Sequence, residues 1–190
     1  GSRHNQEPGT KPGFLYQQNT LRDALVAGLS LNIFNHKSHR VRMANLAQTV
    51  NVLQAMLLTN EQDVILTPTY HVFDMYQVHH DARYLPVQLI GEDYELDGEK
   101  IPAITASASR DSEGKVHLTF TNAKPEEAAS VECHFTGSRE LRFSFGQLLT
   151  HDRMNAHNTF EKPENVVIKN FEDAYMDDGT LKVDLPAKSV

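Results

Sequence analysis

The segment Met43-Ala44-Asn45-Leu46-Ala47-Gln48-Thr49-Val50-Asn51-Val52 sets three amides, at positions 45, 48 and 51, inside an otherwise apolar or small-residue run. Its conformation decides what the first half of the chain is. As a helix, positions 45, 48, 51 and 52 line one side, and the pattern runs on through Leu53-Gln54-Ala55-Met56-Leu57 as an ordinary amphipathic element. As a strand, Asn45 and Gln48 point to opposite faces, so that one amide lies among apolar neighbours. A buried amide left unpaired costs about 1–3 kcal/mol, so a chain that keeps one there must satisfy it with a structural partner, a water or a ligand. Periodicity alone favours the helix.

Around this segment the chain divides into two halves of different period. From Thr20 to about Tyr84 it reads as helical with one strand-like interruption. Thr20, with Asp23 three residues on, resembles a capping box, and Leu21, Ala24, Leu25, Gly28, Leu29, Leu31, Ile33 and Phe34 follow mostly at spacings of three and four. So apolar a helix needs cover on most sides. A second helix is predicted from Thr67-Pro68, a hydroxyl cap followed by proline at the first helical position, with Val72, Phe73 and Tyr76 turned to a core.

After Pro86 the period falls to two. Val116/Leu118/Phe120, Val131/Cys133/Phe135, Leu141/Phe143/Phe145 and Leu181/Val183/Leu185 each alternate with other residues, and Asp97-Gly98, Asp111-Ser112-Glu113-Gly114, Thr136-Gly137 and Asp178-Gly179 supply turns. Short antiparallel strands with one apolar face each close a core most simply by pairing two sheets. The predicted fold class is therefore α+β, with helices first, a β-sandwich after, and a boundary near residues 82 to 86.

Composition narrows the function. The 190 residues carry a formal charge of −7, which disfavours nucleic-acid or anionic-membrane partners, since phosphate binding needs clustered positive charge. No apolar run approaches the roughly 18 residues of a membrane span. The single Cys133 excludes an internal disulfide framework and a cysteine-based zinc site, and its alternation with Val131 and Phe135 makes it a small core residue. His71, His79, His80 and Asp81 invite a metal reading, but adjacent histidines cannot both point one way, and surface or capping roles are the better account. Glu126-Glu127 and Asp177-Asp178 lie beside turn signals and read as solvated loops rather than an acid/base couple. No cofactor is called for.

Several blocks then carry a likeness. Asn19-Thr20-Leu21-Arg22-Asp23-Ala24-Leu25-Val26-Ala27-Gly28, the opening segment, Leu66-Thr67-Pro68-Thr69-Tyr70-His71-Val72-Phe73, Ser107-Ala108-Ser109-Arg110-Asp111 and Met154-Asn155-Ala156-His157-Asn158-Thr159-Phe160 occur in this order. Together they resemble the C-terminal third of the α-L-arabinofuranosidases of glycoside hydrolase family 51, from about Pro8 to Val190. The resemblance implies a (β/α)8 catalytic barrel followed by a jelly-roll-like β-sandwich. Residues 1–84 are then the end of the barrel and 85–190 the sandwich. The seventh barrel helix falls at about Thr20 to Asn35, the eighth strand at about Val41 to Gln48 and the eighth helix from Pro68, which overrules the helical reading of the opening segment.

By the same resemblance, Gln48 is the glutamine that hydrogen-bonds the arabinofuranosyl ring, since barrel enzymes carry their chemistry at the C-terminal ends of strands. Asn45 and Asn51 are left structural. The parent enzyme implied releases terminal non-reducing α-L-arabinofuranosyl units from arabinoxylan, arabinan or arabino-oligosaccharides with retention, and is a homo-oligomer. Retention requires two carboxyl groups about 5 Å apart, both on earlier barrel strands in this family. Glu7 is nearest in sequence, yet Gln6-Glu7-Pro8 resembles the loop after the nucleophile motif, and the chain has no tryptophan to complete that motif. The chain alone is thus expected to be inactive, with no catalytic residue of its own and the N-terminal barrel portion as its missing partner. The loop from Met154 to Phe160 is expected to buttress the sandwich. A rival reading, a non-catalytic module for carbohydrate binding or assembly, is weakened by the lack of tryptophan platforms.

Overall fold

The computed structural model describes residues 19–137 and 141–190. Glu7 lies outside the described residues. Helix α1, Leu21–His36, starts where the Thr20/Asp23 spacing predicts: the Asp23 carboxylate accepts hydrogen bonds from both the backbone N–H and the hydroxyl of Thr20, each at 2.8 Å. Helix α2, Pro68–Met75, has proline in its first turn and Thr67 as its cap, whose hydroxyl accepts from the Tyr70 N–H at 3.3 Å. A 3-10 turn, Tyr76–His79, continues it. Neither helix is long and apolar enough to cross a membrane.

The first turn of any helix leaves backbone N–H groups without intrahelical partners. Here the loop from Met154 to Phe160 supplies them: the N–H groups of Leu21 and Arg22 donate to the carbonyls of Ala156 (2.8 Å) and Met154 (3.1 Å). Asn158, 3% exposed, donates to the carbonyls of Leu66 and Val166 and accepts from the Val166 N–H. The loop thus braces the helical half, where the sequence placed it against the sandwich, because a buried helix start demands acceptors that only a returning loop provides. Leu21, Ala24 and Leu25 of α1, Val72 of α2 and Tyr76 form one core with Leu149, Ala156, Val166 and Val190.

Between the helices the observed strands are not the predicted one. A short hairpin pairs β1 (Leu57–Thr59) with β2 (Val64–Leu66), and residues 41–48 form neither the strand the resemblance implies nor the helix that periodicity favours. A parallel strand has no hydrogen bonds of its own and takes them all from neighbouring strands. Among the described residues no strand pairs with this segment.

The antiparallel half has a clear register. Strands β3 (Arg83–Leu85), β6 (Ile104–Arg110) and β7 (Val116–Asn122) make one sheet, in the order β3-β6-β7. Strands β8 (Ala129–His134), β11 (Ala174–Asp177) and β12 (Thr180–Leu185) make another, with β12 central. Leu118 and Phe120 from the first sheet meet Val131, Cys133, Leu181, Val183 and Leu185 from the second in a separate apolar core. Two-stranded pairs complete the chain: β4 (Asp93–Leu96) with β5 (Glu99–Pro102), and β9 (Gly146–Leu148) with β10 (Lys169–Phe171). The alternation Leu141/Phe143/Phe145 does not become a strand, since no strand pairs with it among the described residues, and Phe145 stands exposed.

The other face of the β6–β7 sheet is the surprise for a pattern reading. Thr105, Ser107, Ser109, Thr119 and Thr121 face α1 and the 3-10 turn, and four of them are buried. Their centre is Asn32 of α1, 1% exposed. Its amide donates to the Thr105 hydroxyl at 3.0 Å, and its carbonyl oxygen accepts from Tyr76, Ser107 and Thr119 at 2.9 Å each. Burial pushes the Tyr76 phenol up to about 12, which keeps it a neutral donor. Gly28, one helical turn before Asn32, allows the close approach: a Cβ there would stand 2.5 Å from the Thr121 hydroxyl oxygen.

His79 joins the same interface, with Nδ1 2.7 Å from the Ser109 hydroxyl and Nε2 3.1 Å from that of Thr119. Burial, with the neighbouring His117 and His80 adding to it, pushes its pKa down to about 4. The unfolded chain, with an ordinary histidine near 6.5, therefore takes up a proton that the folded protein refuses. Stability from the neutral ring is complete above about 6.5 and is lost as pH falls from there towards 4. Urea unfolding at pH 7 and pH 5 should differ by about 2 kcal/mol through this group. His79→Gln should flatten that difference, and an unchanged pH slope in the variant rejects the assignment.

Candidate functional site

Residues 49 to 57 are anchored on both sides. The Thr49 carbonyl accepts from the N–H groups of Met56 and Leu57, each at 3.0 Å, and the Asn51 N–H donates to the Leu57 carbonyl at 3.0 Å. Asn51 adopts a φ of 61°, a left-handed conformation that asparagine tolerates better than most residues. Its side chain is fully engaged with Thr59, accepting from the N–H at 2.7 Å and donating to the hydroxyl at 2.9 Å. The Thr67 hydroxyl donates to the Ala55 carbonyl at 2.9 Å, which ties the far end of the loop to the start of α2.

Gln48 sits immediately before this anchored turn, after a cis Ala47-Gln48 peptide bond, and is exposed. Its side-chain amide has no hydrogen-bond partner among the described residues, so both its donor and its acceptor face solvent. An exposed amide can offer a donor and an acceptor to a polyol. Asn51 thus has a structural partner, whereas Gln48 has none among the described residues. Asn45 is exposed as well.

The remaining sequence candidates are scattered. His71 on α2 is buried, its pKa lowered by that burial, and its Nε2 lacks a partner among the described residues. His79 is held by two hydroxyls, and His80 and Asp81 are exposed beyond the 3-10 turn. No three metal-ligating side chains come together among the described residues. Glu127 pairs with Lys124 at 2.8 Å and Asp177 with Lys182 at 2.8 Å, so each acidic doublet is a surface ion-pair site. Burial pushes the Cys133 thiol up to about 11, which leaves it unreactive at neutral pH.

Among the described residues, Asp111 is held below the usual carboxylate range by its hydrogen bond with His117, and Glu161 by a backbone hydrogen bond.

The comparisons with known proteins bear on the whole chain. The model of the alpha-L-arabinofuranosidase C-terminal domain matches residues 1–189. Over its full length the chain is 44% identical to an intracellular exo-alpha-L-arabinofuranosidase of Bacteroides ovatus, of which it spans only 37%. Over 94% of its length it is 27% identical to an exo-alpha-(1->6)-L-arabinofuranosidase of Bifidobacterium longum, spanning 35% of that protein. Among solved structures it is similar to the GH51 arabinofuranosidase of Xanthomonas axonopodis pv. citri, with 44% identity and a TM-score of 0.92, covering 96% of this chain and 37% of that one. The fold, the order of the blocks and the extent of the match agree, and the chain belongs to the alpha-L-arabinofuranosidase C-terminal domain family, corresponding to the C-terminal part of glycoside hydrolase family 51 arabinofuranosidases.

Proposed function

We propose that this chain is the C-terminal part of an enzyme that hydrolyses terminal non-reducing α-L-arabinofuranosyl residues of arabinoxylan, arabinan or arabino-oligosaccharides with retention of configuration. The observation that carries the reading is the match of fold and sequence along nearly the whole chain to family 51 arabinofuranosidases about two and a half times its length. Residues 1–84 complete a (β/α)8 barrel supplied by the preceding polypeptide, and 85–190 form the jelly-roll-like sandwich beside it. The change from helices to antiparallel strands at β3 supports that division.

In this reading Gln48 contacts the arabinofuranosyl ring, its free amide turned to the substrate side. The catalytic carboxyl pair belongs to the preceding polypeptide. The chain by itself is inactive, and the enzyme self-associates.

An aryl α-L-arabinofuranoside assay on the purified chain, beside the enzyme encoded with its upstream sequence, tests this. The longer protein should turn over and the chain should stay at the buffer blank. Turnover by the chain alone contradicts the proposal, as does an upstream sequence without a pair of glutamates at strand ends.

A further inference from the structure

The β1–β2 hairpin grows out of the turn that follows Gln48. Segments 49–51 and 57–59 run side by side in one direction. Val50 and Leu57 form a parallel bridge, the Asn51 N–H donates to the Leu57 carbonyl at 3.0 Å, and the Asn51 side chain holds both the N–H and the hydroxyl of Thr59. Strand β1 therefore leads away from Gln48. Strand β2 brings the chain back, with Val64 opposite Thr59 and Leu66 opposite Leu57. At its foot the Thr67 N–H donates to the Met56 carbonyl at 3.1 Å, and α2 begins there. The ribbon is thus tied at its base, and at about 3.3 Å per extended residue its tip, residues 60–63, stands at most roughly 15 Å past Gln48.

The tip keeps its own shape. The Asn60 side-chain oxygen accepts from the N–H groups of Gln62 at 2.8 Å and Asp63 at 2.6 Å, and the Asn60 amide donates to the Asp63 carboxylate at 3.3 Å. The side chains of Glu61 and Gln62 take no part in this and, among the described residues, bond to nothing. In the enzyme proposed above the preceding polypeptide packs on this half of the chain, so exposure does not locate the ribbon; chain direction does. In a (β/α)8 barrel the residues between the C-terminal end of a strand and the next helix stand on the face that carries the chemistry. With Gln48 ending the eighth strand and α2 as the eighth helix, the β1–β2 ribbon is that connection.

We propose that Glu61 and Gln62, at the ribbon tip, bind the sugar that carries the terminal arabinofuranosyl unit. The inference rests on the barrel reading and on Gln48 as a contact to the terminal unit itself. A unit held by Gln48 at the rim leaves the rest of the substrate to run outward. A tip that stands beyond Gln48 on the same connection meets that outward part. The side chains suit a sugar: the Glu61 oxygens accept from hydroxyl groups, and the Gln62 amide both donates and accepts. Bonds from hydroxyls to a carboxylate are shorter and stronger than those between neutral groups. The two residues therefore determine which linked sugar is accepted, while the reacting atoms are left to the barrel.

Steady-state kinetics on the enzyme encoded with its upstream sequence tests this with two substrates, arabinotriose and an aryl α-L-arabinofuranoside. Both present the same terminal unit, but only arabinotriose places a sugar next to it. The quantity read is the ratio of the two kcat/KM values within each protein. Glu61→Ala and Gln62→Ala should each lower the arabinotriose-to-aryl ratio about fivefold, the effect of one lost hydrogen bond, and the double variant should lower it further. Glu113→Ala, in an exposed turn of the sandwich, should leave the ratio where it is. Thermal unfolding is followed for every variant.

An unmoved ratio in the double variant overturns the proposal. So does an equal fall on both substrates with a loss of thermal stability, because the ribbon then braces the barrel instead of binding sugar. Wild-type enzyme that turns over neither substrate overturns the enzymatic reading and this inference with it, whereas turnover with an unmoved ratio overturns the inference alone.

Discussion

Replacing Asn32 with leucine is expected to destabilise the protein by about 3 kcal/mol or more. The substitution is close in volume, so the cost comes from hydrogen bonds rather than a cavity. The Asn32 carbonyl oxygen accepts from Tyr76, Ser107 and Thr119, and its amide donates to Thr105. Removing the hub strands several buried hydroxyls at once, although Ser107 and Thr119 retain each other at 2.8 Å and Tyr76 retains the Gly28 carbonyl at 3.2 Å. Those remaining bonds bring the cost below the sum of four deletions. Tyr76→Phe, which removes one donor and leaves the Asn32 oxygen two others, should cost about 1 kcal/mol. Urea unfolding of both variants measures the contrast. An Asn32→Leu protein within about 0.5 kcal/mol of wild type, inside the ordinary scatter of surface changes, removes the hub from the account of stability.

Gln48→Ala in the intact enzyme is expected to lower kcat/KM by about 100-fold and to leave the melting temperature unchanged. Both halves of the expectation follow from its surroundings. The side chain is exposed and bonds to nothing among the described residues, so folding gains little from it. Paired hydrogen bonds to a sugar held at the reacting centre are used only with substrate bound, where their loss costs about 2.7 kcal/mol for a 100-fold effect. An Asn51→Ala control should behave in the reverse way, because Asn51 is engaged with Thr59 and holds the turn. Steady-state kinetics on an aryl α-L-arabinofuranoside decides the matter. If Gln48→Ala keeps kcat/KM within about threefold of wild type, Gln48 is not a sugar-contacting residue.

Legibility in this chain follows the range of the interactions. Thr20 with Asp23 and Thr67 with Pro68 marked both helix starts, since caps are made within one turn of chain. Asp97-Gly98 and Asp178-Gly179 marked turns, and these residues adopt the positive φ that such turns need. The alternations at 116–120, 131–135 and 181–185 marked β7, β8 and β12 because each strand has an edge to pair with. The alternation at 141–145 is just as regular and forms no strand, because pairing is a property of two segments. Asn32 went unremarked within an apolar helix. Its signal was in the sequence as alternating hydroxyls, Ser107/Ser109 and Thr119/Thr121, but nothing local says that a helix covers that face.

The sequence by itself determined the α+β class, the helix starts, the main strands of the antiparallel half and, through its ordered blocks, the family. Each of these rests on spacing within a few residues or on the order of segments along the chain. Tertiary structure alone decided that a sheet face of serines and threonines is buried against α1, that the loop from Met154 to Phe160 caps that helix, and that among the described residues Gln48 is unbonded while Asn51 is not. Burial and hydrogen-bond partnership depend on what lies opposite a residue in space, and residues as far apart as Asn32 and Thr121 become neighbours only when the chain closes on itself.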